Sequence, residues 1–284
     1  MTKDGHQATS AERARPSPSA ISRRTFVKAL IGTGAATAFP AVGKLAESWA
    51  AVGERGSGQG RVSRQWSMVI DLRKCEGCTT INKPPQCIEA CKKVHYLPQG
   101  QQWIRVVTER DERGTFFRPI PCMQCENAPC VQVCPVGATY HDASGVVLVD
   151  HNRCIGCRLC MAACPYDARV FNWVQPPTPP EAALVTYSPQ FPVPHRKGTV
   201  SKCMLCAHRT ANGELPACAA GCPMKAIYLG DLTTDVATNG DEVVKLSTFL
   251  SENHAYRYRG ELRTRPRVYY IPGHGEAFGR RLGT

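Results

Sequence analysis

Apolar positions along this chain come in short runs separated by turn-forming residues. Residues 67–72 (SMVIDL), 145–150 (GVVLVD), 168–174 (ARVFNWV) and 226–229 (AIYL) are rich in β-branched, aromatic and aliphatic side chains and predict strands. Residues 266–272 (PRVYYIP) predict one more. Between these runs Gly and Pro are abundant, at 24 and 22 residues, and aromatic residues are sparse at 7%. That balance predicts a loop-rich α+β fold held by something besides side-chain packing. Residues 175–199 form a Pro-rich insert, read as an extended surface excursion in preference to a partner-docking arm. The tail, residues 273–284, contains no long apolar run, and no C-terminal membrane anchor is expected.

Cysteine changes the picture. The chain of 284 residues has 16 cysteines, in four groups of four with none left over. The groups are Cys75, Cys78, Cys87 and Cys91; Cys122, Cys125, Cys130 and Cys134; Cys154, Cys157, Cys160 and Cys164; and Cys203, Cys206, Cys218 and Cys222. The predicted strands lead into the first and third groups and out of the third and fourth. Short helical turns are expected after the last cysteine of each group. Groups two, three and four end in Cys-Pro, at Pro135, Pro165 and Pro223, whereas group one ends in Cys91-Lys92.

The third group reads C-I-G-C-R-L-C-M-A-A-C-P, the run that holds a cubane iron–sulfur cluster in bacterial ferredoxins. Cys-x-x-Cys-x-x-Cys wraps three thiolates round one face of a cubane, and in two-cluster ferredoxins the fourth comes from the other motif. By that rule Cys122, Cys125, Cys130 and Cys164 make one set (B), and Cys154, Cys157, Cys160 and Cys134 another (C). Gly77 and Gly156, each between the first two cysteines of a group, permit positive φ and a close approach of backbone N–H to sulfur. Zinc is the rival metal, but three cysteines within seven residues suit a tetrahedral ion poorly. A disulfide framework is the other rival. The histidines form no ligand pair at metal spacing. His151, near Cys154, is read as a surface residue or a hydrogen-bond donor near a cluster. Trp103, Trp173 and Tyr166 are read as cluster shields or core residues.

At the N-terminus, Ser22-Arg23-Arg24-Thr25-Phe26-Val27-Lys28 and the mild apolar stretch after it resemble a twin-arginine export signal. That stretch, about 14 residues long, falls short of the roughly 20 a membrane span needs. Ala36-Thr37-Ala38 and Ser48-Trp49-Ala50 both fit a processing site. The twin-arginine route carries proteins already folded round a cofactor, so the expectation is a periplasmic protein on the outer face of the cytoplasmic membrane. The formal charge of +12 suggests nucleic-acid binding at first sight. Four clusters with thiolate ligands would contribute about minus eight, and residues 1–60 carry eight Lys/Arg against four Asp/Glu. The processed, loaded chain is then near neutral, and no nucleic-acid partner is expected.

Four such groups behind an export signal resemble the iron–sulfur subunits of respiratory oxidoreductases of the dimethyl sulfoxide reductase, polysulfide reductase, formate dehydrogenase and nitrite-reductase electron-transfer types. The resemblance covers residues 65–272. It rests on the sixteen cysteines, on Cys154-Ile155-Gly156-Cys157, on Met161-Ala162-Ala163-Cys164-Pro165-Tyr166 and on Pro266-Arg267-Val268-Tyr269-Tyr270. Residues 79–86 are longer than the family gap in group one. The resemblance implies two ferredoxin-like dicluster halves, an inner one at 115–174 and an outer one at 65–114 plus 200–272, preceded by a signal region (1–50) and a flexible linker (51–64). It also carries the ligand exchange to the outer groups: Cys75, Cys78, Cys87 and Cys222 (set A), and Cys203, Cys206, Cys218 and Cys91 (set D). The implied function is an electron relay through four 4Fe-4S clusters, not catalytic alone. Its implied partners are a membrane quinone-interacting subunit and a molybdopterin or multihaem catalytic subunit. The alternative is a non-redox interaction module held by zinc or disulfides. A self-contained reductase would need an open iron site, and all sixteen cysteines already have assignments.

Overall fold

β1 (Trp66–Asp71) is buried along its whole length. Its side chains alternate between two faces, as strand geometry requires. Met68 and Ile70 pack into a large core with Ile227, Leu229, Val268 and Tyr270, and this core also contains Cys87, Cys91, Cys125, Cys130, Cys160 and Cys218. Val69 faces the other way, into a smaller core with Tyr228, Ala237, Leu246 and Ile271. A strand covered on both faces reads as a continuous apolar run, which is why residues 67–72 are legible in the sequence.

This is a computed structural model, and it describes residues 63–111, 114–176, 178 and 180–273. The expected export signal, the linker up to residue 62 and the tail beyond residue 273 lie outside the described residues. After β1 come α1 (Gln86–His95), β2 (Arg105–Asp111), β3 (Gly114–Ile120), α2 (Pro129–Gln132), β4 (Thr139–His141) and β5 (Val147–Val149). Then follow α3 (Leu159–Ala162), β6 (Arg169–Phe171), α4 (Pro180–Ala183), β7 (Val200–Lys202), α5 (Ala207–Thr210) and α6 (Ala217–Ala220). The chain closes with β8 (Ile227–Asp231), β9 (Val236–Thr238), β10 (Val243–Lys245), α7 (Leu246–Glu252) and β11 (Val268–Ile271). The class is α+β, with short elements and long connections.

One five-stranded sheet has the order β10-β9-β8-β1-β11. β1 pairs antiparallel with β8 and parallel with β11, so Met68 lies between Leu229 and Val268. Three two-stranded ribbons complete the sheets: β2-β3, β4-β5 and β6-β7. The β2-β3 hairpin is not evident from the sequence. Its residues 105–111 (RVVTERD) carry charges that hide the strand period, and the boundary expected between residues 114 and 115 falls within β3.

The β6-β7 ribbon joins the two ends of the Pro-rich insert. The insert is not a surface excursion throughout. Its returning half is drawn inward, with Val193, His195 and Thr199 buried. A hydrogen bond of 2.8 Å between His195 Nε2 and the His95 carbonyl oxygen, and edge contact of Trp103 with the His195 ring at 5.7 Å, account for that.

Candidate metal centres

Each cysteine group begins as a left-handed loop. Gly77 and Cys78 have φ of 60° and 62°, Gly156 and Arg158 have 72° and 62°, Gln124 has 47°, and Leu205 and Cys206 have 52° and 49°. Gly156 has no room for a side chain, because a Cβ there would lie 2.2 Å from the Gly198 carbonyl oxygen. Backbone N–H groups from these loops and from the helix starts point at sulfur. Gln86 N lies 3.4 Å from Cys78 Sγ, Leu205 N 3.4 Å from Cys203 Sγ and Ala217 N 3.3 Å from Cys206 Sγ.

In groups two, three and four the helical turn lies before the last cysteine, not after it. α2 carries Cys130 and ends short of Cys134; α3 carries Cys160 and ends short of Cys164; α6 carries Cys218 and ends short of Cys222. The physical reason is the proline after each fourth cysteine, whose ring disfavours helical backbone at the preceding residue. Group one has Lys92 instead, and α1 runs unbroken through Cys87 and Cys91 to His95. Those three residues recur every four positions and share one helix face.

The sixteen cysteines are all free thiols, so no disulfide framework forms. They gather across groups. Cys75, Cys78, Cys87 and Cys222 line one cleft. Cys134, Cys154, Cys157 and Cys160 line another, partly open to solvent. Burial, then the neighbouring Cys122, pushes the Cys125 thiol up to about 12, and Cys130 and Cys164 add to the shift. Burial, then Cys206, Cys203 and Cys91, raises Cys218 well above the ordinary thiol range. Cys87 is pushed up to about 12 by burial and by Cys222, Cys75 and Cys78. A buried thiol raised in this way stays protonated unless a cationic centre is bound beside it.

Among the described residues, no three His, Cys, Asp or Glu side chains converge closely enough to hold a single metal ion. Four sulfurs that line one cleft without closing to single-ion distance suit a polynuclear cluster better than zinc. This donor set, with backbone N–H groups aimed at it, fits a 4Fe-4S cluster.

The sets also neighbour one another. Cys218 interacts with Cys87, Cys203 with Cys122, and Cys160 with Cys130. These pairs connect the sets expected from the sequence in the order A, D, B, C. Arg169 is buried at the B–C junction: burial works against its charge, but Cys130, Cys160 and Cys122 hold its pKa above the ordinary value. Gln124 links groups two and four by donating from Nε2 to the Cys203 carbonyl at 2.9 Å while its Oε1 accepts from Val147 N.

Several residues differ from expectation. His151 is buried rather than at the surface, with its Nε2 3.4 Å from Ser201 Oγ. Trp103 and Tyr166 are buried against the cysteine core, but Trp173 is 64% exposed, with the Arg158 guanidinium 4.7 Å above its ring. A solvent-facing indole does not shield a core. Sequence reasoning misses Arg169 and His95, although His95 is legible as the third member of the four-residue repeat on α1.

Residues 114–177 and 190–232 match the 4Fe-4S dicluster domain family, and these segments contain groups two, three and four. A putative dimethyl sulfoxide reductase iron–sulfur subunit of Halobacterium salinarum is 39% identical over 227 residues, covering 73% of this chain and 79% of that protein. The chain belongs to the 4Fe-4S dicluster family of iron–sulfur subunits. The iron–sulfur cluster-binding subunit of menaquinone reductase from Nitratidesulfovibrio vulgaris is 34% identical over 252 residues, 77% of this chain and 92% of that one. Protein NrfC of Escherichia coli K12 is 33% identical over 216 residues, 73% and 81% of the two chains. The matched domain segments hold sets B and C entire, and group one lies outside them.

Proposed function

We propose that this chain is the electron-transfer subunit of a respiratory oxidoreductase and relays electrons through four 4Fe-4S clusters held by sets A, D, B and C. A bound cubane exchanges single electrons with its neighbours, with potentials spanning roughly −700 to +450 mV. The protein supplies the thiolates, the N–H groups that stabilise them and the burial that excludes water. The carrying observation is the convergence of cysteines from distant groups into neighbouring sets. Sets A and D form one ferredoxin-like half and sets B and C the other.

Both terminal sets open toward the surface, at partly exposed Cys75 and at exposed Cys157. Electrons enter at one end and leave at the other, between a membrane subunit that handles quinone and a molybdopterin or multihaem catalytic subunit. Supporting this reading, two of the relatives are named as iron–sulfur subunits of reductases, one of them of menaquinone reductase. Among the described residues no helix is long and apolar enough to cross a membrane, so attachment would run through a partner. The twin-arginine pattern at Arg23-Arg24 supports a periplasmic location.

The exchange of ligands is tested by Cys91→Ser. Cys91 belongs to group one in sequence but to set D in space. The variant is expected to perturb the cluster of group four, with the signal of set A retained in paramagnetic resonance of the reduced protein. Loss of the group-one signal instead would overturn the exchange.

A further inference from the structure

His95 Nε2 lies 3.1 Å from Cys206 Sγ. The ring is 1% exposed, so water does not compete for this contact. We propose that His95 is the hydrogen-bond donor that sets the reduction potential of the set D cluster. The inference rests on the reading that Cys91, Cys203, Cys206 and Cys218 hold that cluster.

The direction of the bond follows from charge. In the loaded protein Cys206 is a thiolate and has no proton to give, so the proton lies on His95 Nε2. A neutral imidazole then leaves Nδ1 as a bare acceptor, and His95 Nδ1 indeed meets no hydrogen-bond partner. The donor is the Nε2 N–H. Its effect is a directed dipole on one sulfur, which favours the reduced and more negative cluster.

The ring is held in place from several sides. Trp103 packs at 4.8 Å between centroids, His208 meets it edge-on at 5.3 Å, and Phe191 lies at 6.1 Å. The backbone beneath is fixed as well, since His195 Nε2 donates to the His95 carbonyl at 2.8 Å. The returning half of the Pro-rich insert therefore closes over this imidazole, which gives that segment a role. The reach of α1 to residue 95 depends on Lys92 standing where the other groups have proline.

The test is a potentiometric titration of the loaded full-length chain, followed by paramagnetic resonance. His95→Phe removes the donor and keeps an aromatic ring in the nest; His95→Gln keeps an N–H near the Nε2 position. With iron content unchanged, one cluster of four is expected to move to lower potential in His95→Phe and to return toward the wild-type value in His95→Gln. Equal potentials in wild type and His95→Phe would overturn the proposal, as would equal displacement in both variants. A measurement that needs no variant guards against misfolding. Pulsed paramagnetic resonance on protein labelled with ¹⁵N-histidine should detect nitrogen coupling to one reduced cluster, and its absence would refute the bond. If the wild-type chain binds no iron, the relay reading fails before this one is reached.

Discussion

At the scale of single residues, the backbone around the cysteines is more constrained than the cysteines themselves. Gly156 sits at φ 72° with the Gly198 carbonyl where a Cβ would go. Gly156→Ala is expected to cost about 1–2 kcal/mol from the left-handed conformation alone, and more from the clash. Iron retention in the purified variant should fall through loss of the set C cluster, while sets A and D remain. His151 gives a second prediction. Burial, then His195, lowers its pKa from 6.5 to about 4. Between those values the unfolded chain binds the proton that the folded chain refuses, so stability falls as pH drops. Between pH 7 and pH 5 the loss is about 2 kcal/mol. The denaturant midpoint should show it, and His151→Gln should flatten the profile over that window. The cysteines are legible in the sequence because their chemistry is written in spacing. Arg169 and His151 are not, because an isolated charged or titratable residue in a strand or turn says nothing about which neighbours will bury it.

At the scale of elements, one substitution separates group one from its three counterparts. Proline after the fourth cysteine stops α2, α3 and α6; Lys92 lets α1 continue. Lys92→Pro is expected to cost about 3 kcal/mol by breaking the helix interior. It should also displace His95, visible as loss of ¹⁵N-histidine coupling. The central strand and β11 can be read from the sequence because they are buried runs whose pattern needs no partner to be recognised. The β2-β3 hairpin and the short β9 and β10 strands cannot. They are short, partly exposed or charged, and pairing rather than composition makes them strands. The helical turns fall before the last cysteine because proline acts on the residue ahead of it, an effect that the cysteine spacing by itself does not express.

At the scale of the whole molecule, the proposed relay runs A, D, B, C between partly exposed Cys75 and exposed Cys157. Exposed Ile155 and Arg158 line the opening at Cys157, and Arg158 lies over exposed Trp173. Trp173→Glu is expected to leave iron content unchanged and to slow electron transfer within the assembled complex, measured as turnover with a quinol donor. Unchanged turnover would place the partner elsewhere. The order of the sets is not legible from spacing, since it depends on Cys203 meeting Cys122 and Cys160 meeting Cys130 across the fold. The central claim is that sixteen thiolates hold four cubanes in one chain. Native mass spectrometry of the anaerobically purified protein tests it most directly. The account predicts a mass increment of about sixteen iron and sixteen sulfide per chain; an increment of two clusters, of zinc, or of nothing would contradict it.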